Sequence, residues 1–456
     1  MDLKRFILNG EFKKVVEFLE KGAKSAKDFN TLGFAYYNLG KRNKAISNFK
    51  RALYLDQNNI DALFNLSEIY IQLGKYVKAK DYVLMLLKMY PTWDVYDMLS
   101  NIYTFEGFFE SAYESLKKAI AIAPQEKAHS LREKLDLLTE RMEKVKLQKK
   151  LAIVCAKGFD NFIDDIVHKL SDQYWVQRRV VKTEKEIKDA INWADIVWLE
   201  WANEVAVIAT NYPEIKGKRV VLRLHGYESL RIDFLSKINW NNVNDLIFVA
   251  KNVMKTAVEN QPIIQTVPIH FVPNGINLEK YKYKVREKGY NIGFLGFFNY
   301  KKNPILAVQI LKKLADKDKK YKLYWAGQIQ DDRMWRYINY ILKRMGIMEN
   351  FVFDGWVDDT DEWLEDKDVF LSTSIHEGYG IAIMEAMAKG IKPVIHNFYI
   401  AEEFYPKKYL FNTVDEAVDM ITNGDYTSDE YRKFIEKYSL ENQIQKIRSI
   451  IQGKLS

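Results

Sequence analysis

Two hydrophobic rhythms divide the chain. Up to about residue 125, small and apolar residues recur at helical spacing, and the frame itself repeats. Leu32-Gly33, Tyr36, Gly40, Ala45, Phe49 and Ala52 return as Leu66-Ser67, Tyr70, Gly74, Ala79, Val83 and Leu86. They return again as Leu99-Ser100, Tyr103, Gly107, Ala112, Leu116 and Ala119, at offsets of 34 and then 33 residues, with Pro91 and Pro124 closing the later frames. This predicts stacked helix pairs whose small residues let the helices approach. Met1 to Gly22, with Phe6-Ile7 and Val15-Val16-Phe18-Leu19, reads as a degenerate first pair acting as a cap. In 126–150, Leu131, Leu135, Leu138 and Met142 keep helical spacing among many charges, which predicts a long connecting helix.

From Leu151 the rhythm changes to short apolar runs alternating with helical segments. Strands are predicted at Leu151–Cys155, Val176–Val181, Ile196–Glu200, Arg219–Leu224, Leu246–Ala250 and His270–Val272, with helices such as Asn161–Leu170 and Thr183–Trp193 between them. Runs such as Ile-Val-Trp-Leu suit a parallel sheet covered on both faces. Pro273-Asn274-Gly275 is a turn, and the polar stretch Asn277–Gly289 reads as a linker. A second α/β region follows, with strands at Asn291–Gly296, Lys322–Ala326, Val352–Asp354, Val369–Ser372 and Lys392–Ile395, then helices to the end. The fold class is an α-solenoid followed by two Rossmann-like α/β domains. The boundaries fall at 1–125, 126–150, 151–276 and 277–456.

Composition narrows the class. The chain has 456 residues, 48% hydrophobic and 29% charged, as in soluble globular proteins. No run reaches eighteen apolar residues and the first residues lack a secretory core, so a cytoplasmic protein without a transmembrane segment is expected. The single Cys155, inside Leu-Ala-Ile-Val-Cys, reads as a buried strand residue rather than a nucleophile. The net charge of +8 permits contact with phosphate ligands or an anionic membrane surface. No zinc-type Cys/His spacing and no Walker loop is present, and no GxGxxG follows a first strand, which disfavours dinucleotide redox chemistry. No nucleic-acid recognition motif appears.

The chemistry concentrates between Asp368 and Val394. A strand, the polar loop Ser372–Glu377, a helix entered at Gly378-Tyr379-Gly380 and left at Gly390, and a second strand make a βαβ unit. Ligands bind such units at the carboxyl end of the strand, where loop N–H groups and the helix N-terminus suit a phosphate. Glu377 and Glu385 frame this loop. Glu385 sits within an apolar helix run, where a carboxylate is unusual without a partner. Trp201, after the strand ending at Glu200, reads either as an aromatic platform or, with Trp193 and Trp198, as core, and Lys157-Gly158 follows the first strand.

The N-terminal frames resemble the tetratricopeptide repeat, which implies a surface that holds a protein or peptide. From Glu377-Gly378-Tyr379-Gly380 through Glu385-Ala386-Met387-Ala388-x-Gly390, the second α/β region resembles the E-x7-E signature of retaining, nucleotide-sugar-dependent glycosyltransferases of the group 1 type, with the GT-B fold. Val272-Pro273-Asn274-Gly275-Ile276-Asn277, Gly293-Phe294-Leu295-Gly296 with Lys302, Ala326-Gly327 and Phe353-Asp354-Gly355 match further family segments in order.

The resemblance implies that Glu377 bonds hydroxyls of the donor sugar and Glu385 those of the ribose. Gly378, Tyr379, Gly380 and Ile381 would line the diphosphate, with Gly296 and Lys301 beside it. Lys302 would neutralise the departing nucleoside diphosphate, and His225 would stand near the sugar and acceptor. Glu200, Trp201 and Gly158 fall on the acceptor side, in the 151–276 domain. No metal or cofactor is implied; the donor is a nucleotide sugar, a UDP-sugar by default. One departure stands out: Phe297 occupies the family's arginine position. The expected activity is transfer of a hexosyl group to an acceptor, a protein recruited by the repeats or a cell-envelope glycan or lipid-linked acceptor. A scaffold with a degenerate sugar-nucleotide site is the non-catalytic alternative.

Overall fold

The computed structural model describes residues 3–160, 163–378 and 380–454. Contacts divide the chain into two units, Met1–Glu200 with Ile208–Val221, and Trp201–Val207 with Leu222–Ser456.

In the first unit the repeat frame folds as helix pairs. Ala26–Asn38 pairs with Arg42–Leu55, Ile60–Gln72 with Tyr76–Met89, and Trp93–Glu106 with Phe109–Ile122, preceded by Leu3–Leu8 and Phe12–Leu19. Ala45, Ala79 and Ala112, the small residues of the frame, are fully buried where paired helices meet. Leu32, Tyr36, Phe49, Leu63, Leu66, Tyr70 and Leu86 fill the space around them. Helix starts carry local caps, with Ser25 and Asp28 forming a reciprocal capping box and Asn59 accepting from the Ala62 amide at 2.9 Å. The predicted connecting helix runs Gln125–Val145 and buries Leu131 and Leu138 against the last repeat.

The same unit holds β1 (Lys150–Ala156), β2 (Trp175–Val181), β3 (Ile196–Glu200) and the start of β4 (Arg219–Leu224). β1 pairs in parallel with β2 on one side and β3 on the other. Leu151 to Cys155 are all fully buried, and burial pushes the Cys155 thiol above its ordinary range, as befits a core residue. The repeats pack directly on β2. The Gly107 carbonyl, at the turn of the third repeat, accepts from the Trp175 indole at 2.9 Å and from the Gln177 amide at 3.3 Å. Gly107 has φ +79°, and a Cβ there would lie 1.7 Å from the Val176 carbonyl oxygen. Gly107→Ala is therefore expected to cost at least about 2 kcal/mol, from left-handed strain and forced displacement of β2. Thermal melting checks this; an unchanged Tm would contradict the packing.

The second unit holds β5 (Asp245–Phe248), β6 (Ile269–Phe271), β7 (Asn291–Leu295), β8 (Lys322–Ala326), β9 (Phe351–Gly355), β10 (Val369–Ser372), β11 (Lys392–His396) and β12 (Leu410–Phe411). The strand orders are β2-β1-β3-β4-β5-β6 and β12-β11-β10-β7-β8-β9. In the second sheet alternate residues of β10 enter different cores. Val369 and Leu371 join the helices Pro304–Lys317, Asp332–Arg344 and Val414–Thr422, while Phe370 joins Ile381–Ala388 and Ser428–Glu436. Covering on both faces explains why the strand reads as an unbroken apolar run. The predicted turn Pro273-Asn274-Gly275 docks on the C-terminal helix Leu440–Ile451: the amides of Ile276 and Leu440 bond the carbonyls of Tyr438 and Ile276, each at 2.9 Å.

Element boundaries move by one or two residues at most strands. β5 closes at Phe248, and the short edge strand β12 is an addition. The predicted helix Asn161–Leu170 runs Asp164–Leu170, with 161–162 outside the described residues. Among the described residues no helix is long and apolar enough to cross a membrane.

Candidate functional site

The loop after β7 is built to present a lysine. Gly296-Phe297-Phe298 leads into a single turn, Tyr300–Lys302. The Asn299 side chain accepts from the Lys302 amide at 3.2 Å, and Asn303, in left-handed backbone with φ 49°, caps the helix Pro304–Lys317. The Thr373 hydroxyl, just past β10, lies 2.8 Å from the Lys302 carbonyl and 3.0 Å from that of Asn303. The Ile375 amide bonds the Lys301 carbonyl at 2.9 Å, so the two strand-end loops are stitched together. Close approach dictates the glycines here. A Cβ on Gly296 would lie 2.8 Å from Lys302 Cε, and one on Gly327 only 1.9 Å from the Gly296 carbonyl oxygen.

Glu377 lies at the centre. It is buried, and its carboxylate accepts from the Lys302 ammonium and from the Ser374 hydroxyl, the latter at 2.7 Å. The two residues assigned by sequence to different parts of the donor thus form one ion pair. Burial opposes the charged form of Glu377. The Lys302 and Lys301 ammoniums and the hydrogen bonds from Lys302 and Ser374 outweigh it, holding the carboxyl below its ordinary value. Burial, and then repulsion by Lys302, lowers the Lys301 ammonium although Glu377 attracts it. Two other elements of this unit meet the same loop: the side-chain amide of Asn252, on the helix Lys251–Asn260 after β5, donates to the Glu377 carbonyl at 3.4 Å, and past the end of β4 a Cβ on Gly378 would lie 3.1 Å from the His225 carbonyl oxygen.

Gly380, with φ 64°, turns the chain into the helix Ile381–Ala388, whose first residue is Ile381. Tyr379 lies outside the described residues. On this helix Glu385 accepts from the Tyr281 phenol at 2.6 Å, and Gly390, with φ 77°, follows the helix end as predicted.

His225 is buried and stacked on Trp201, with ring centroids 4.0 Å apart. Trp201 itself holds a left-handed φ of 77° and lies 5.7 Å from the Tyr227 ring. A side chain in that region is strained, a state held only where surroundings over-determine it and often found at functional sites. The fully buried Glu228 closes this turn, accepting from the His225 and Gly226 amides at 3.2 and 2.8 Å. Burial pushes its carboxyl above the ordinary range, against the pull of His225 and these amides. In the first unit, Glu200 is fully buried and accepts from the Trp198 indole at 2.6 Å, and Gly158 is exposed with φ 89°. Arg223, in the second unit, is fully buried and donates to the Asn274 side chain. Phe297 is 39% exposed and faces Trp356, with centroids 5.9 Å apart.

The structure therefore brings together Lys301, Lys302, Gly296, Glu377, Gly378 and the His225 turn within one unit. Sequence reading missed Glu228, Asn252 and Tyr281. Glu228 has a faint signal, a glutamate three residues after His225 at capping-box spacing. Asn252 and Tyr281 act across more than a hundred positions and leave no local trace.

Comparisons with known proteins agree with this architecture. Residues 276–412 match the family glycosyl transferases group 1, and residues 38–102 and 94–126 match tetratricopeptide repeat families. Protein CapJ of Staphylococcus aureus is 24% identical over 243 residues, which are 50% of this chain and 60% of CapJ. The UDP-Gal:alpha-D-GlcNAc-diphosphoundecaprenol alpha-1,3-galactosyltransferase of Escherichia coli is 24% identical over 29% of this chain and 38% of its own length. The chain thus spans less than two thirds of these relatives. Among solved structures, HepE of Anabaena, in complex with UDP and glucose, superposes with a TM-score of 0.57 at 13% identity, over 67% of this chain and 100% of HepE. A glycosyltransferase of Rickettsia africae superposes at 0.54 and 15% identity, over 68% and 99%. These likenesses carry the two-sheet fold. The match to glycosyl transferases group 1 thus falls on residues 276–412, and the matches to tetratricopeptide repeats fall ahead of it.

Proposed function

We propose that this chain is a retaining glycosyltransferase that moves a hexosyl group from a UDP-sugar to a cell-envelope glycan or lipid-linked acceptor. The observation that carries the reading is the ion pair of the half-buried Lys302 with the buried Glu377 at the carboxyl ends of β7 and β10, with Lys301 beside it. Charge develops on the departing nucleoside diphosphate as the sugar leaves, and fixed cations in a buried site stabilise it most. Lys302 and Lys301 supply two cations, and Lys301 takes the part left open by Phe297. With both present, the reading needs no metal. Glu377 orients the sugar hydroxyls, Glu385 the ribose, and His225 stands on the acceptor side with Trp201. The acceptor hydroxyl attacks on the face the nucleoside diphosphate leaves: the sugar–phosphate bond breaks, the glycosidic bond forms on the same face, and the hydroxyl proton passes to a phosphate oxygen of the departing nucleoside diphosphate, so the configuration is kept. The 151–276 segment holds the acceptor and 277–456 the donor. The Escherichia coli relative, by its name, acts on a sugar diphosphoundecaprenol, which supports the lipid-linked acceptor.

One observation favours a second reading, transfer to a protein. The repeats pack on β2 through Gly107, Trp175 and Gln177, so a protein held there keeps a fixed place relative to that sheet. Removing the repeats would uncover Trp175, so truncation is a poor test and the full chain should be used. With radiolabelled UDP-sugars, we expect label in the organic phase when an N-acetylglucosaminyl diphosphate lipid is offered. Label in added protein instead would favour the second reading. Label in neither, with the donor intact, would contradict transfer.

A further inference from the structure

Tyr281 lies in the segment that sequence reads as a polar linker, yet it is 3% exposed. Its backbone is pinned at both groups. Its amide bonds the Asn277 carbonyl at 3.2 Å, and its carbonyl accepts from the Arg432 guanidinium at 2.9 Å. The same guanidinium bonds the Ala388 carbonyl at 2.7 Å and the Leu278 carbonyl at 3.1 Å. Arg432 therefore ties Tyr281 to the end of the helix that carries Glu385.

The hydrogen-bond direction follows from proton counting. An ionised carboxylate only accepts, so the Tyr281 proton goes to Glu385, 2.6 Å away. The Thr360 hydroxyl, 2.8 Å from the phenol oxygen, must then donate to it. Burial, and then the Glu385 charge, hold the phenol well above its ordinary value, so it remains a donor at neutral pH. The chain Thr360 to Tyr281 to Glu385 is thus one-directional, and such chains polarise their members.

We propose that the Thr360–Tyr281 pair is a positioning device for Glu385, setting its carboxylate to accept the ribose hydroxyls and so to distinguish ribonucleotides from 2′-deoxyribonucleotides. This rests on the donor-binding reading of Glu385. Tyr281 acts through Glu385 and is a positioning residue. Removing its hydroxyl leaves the carboxylate present but unaligned, and a site built around hydrogen bonds to a hydroxyl discriminates only while those bonds are aligned.

The test is calorimetric titration of the full chain with UDP and with 2′-deoxy-UDP. The wild type is expected to prefer UDP by about tenfold or more, one well-aligned pair of charge-assisted bonds. Tyr281→Phe should cut the preference to about threefold or less, raise KM for the donor and leave kcat within about threefold. Thr360→Val should act in the same direction if Tyr281→Phe does not fold, and Thr360→Ser should restore the wild-type ratio. An intact preference in both Tyr281→Phe and Thr360→Val, lost in Glu385→Ala, would overturn the proposal and leave the reading of Glu385 standing. An intact preference in Glu385→Ala, or no UDP binding by the wild type, would overturn both.

Discussion

Glu377→Gln is expected to lower turnover by about 10²- to 10³-fold, the loss typical of removing one aligned electrostatic group from an active site. The amide keeps the shape and one acceptor oxygen, so Ser374 and Lys302 keep a partner and the fold survives. What changes is charge. In the wild type, Lys302 and Lys301 hold Glu377 ionised despite its burial. An ionised carboxylate orients sugar hydroxyls with charge-assisted bonds, about twice as strong as neutral ones. The loss should appear mainly in kcat, because these bonds tighten as the sugar gains positive character. Steady-state kinetics of nucleoside diphosphate release, with a melting curve beside them, checks this. Turnover within threefold of wild type, in a variant that melts normally, would remove Glu377 from the chemistry.

Lys302→Met should have the larger effect on stability. It leaves a buried carboxylate without its nearest ammonium; breaking a fully buried pair costs about 3–5 kcal/mol, and with Lys302 half-buried and Lys301 still beside Glu377 the cost is expected below that range. The sign with pH follows from the direction of the shift. The wild-type Glu377 carboxyl is depressed, so its pair contributes stability above the unfolded carboxyl pKa and loses it as pH falls through the folded value. In Lys302→Met the chief charge holding it down is gone, burial then favours the neutral acid, and the variant recovers as pH falls. The Tm gap between wild type and variant is therefore expected to be widest near pH 7 and to narrow toward pH 4. A gap independent of pH would contradict the pair. Nucleoside diphosphate release should drop by at least about 10²-fold in the same variant, since Lys301 alone remains to meet the leaving group.

What sequence shows and what it hides divide along the distance between partners. Ala45, Ala79 and Ala112 repeat at fixed offsets, and all three are fully buried between helices, because each repeat poses the same packing problem. Val369 to Leu371 reads as a strand because both faces are covered. The loop from Ser374 to Glu377 and the lysine at 302 are visible because their neighbours in sequence must turn, cap and come close. The pairing of Lys302 with Glu377 was not visible, since it joins loops 75 positions apart. Nor was the seating of the repeats on β2, where Trp175 and Gln177 look like ordinary strand residues until the Gly107 carbonyl is placed against them. Tyr281 reads as linker because polar neighbours mask a side chain buried by tertiary packing alone. The tryptophans sorted in the same way. Trp198 is core, fully buried with its indole held by Glu200, whereas Trp201 stays half-buried against His225.

The most direct test of the account is nucleoside diphosphate release by the full chain from a panel of nucleotide sugars, in parallel with thermal shift. At least one UDP-sugar is expected to raise the Tm and be cleaved to UDP, and Glu377→Gln is expected to keep the shift while losing the cleavage. A panel in which no nucleotide sugar stabilises the protein or is cleaved, with lipid-linked and protein acceptors both present, would contradict it.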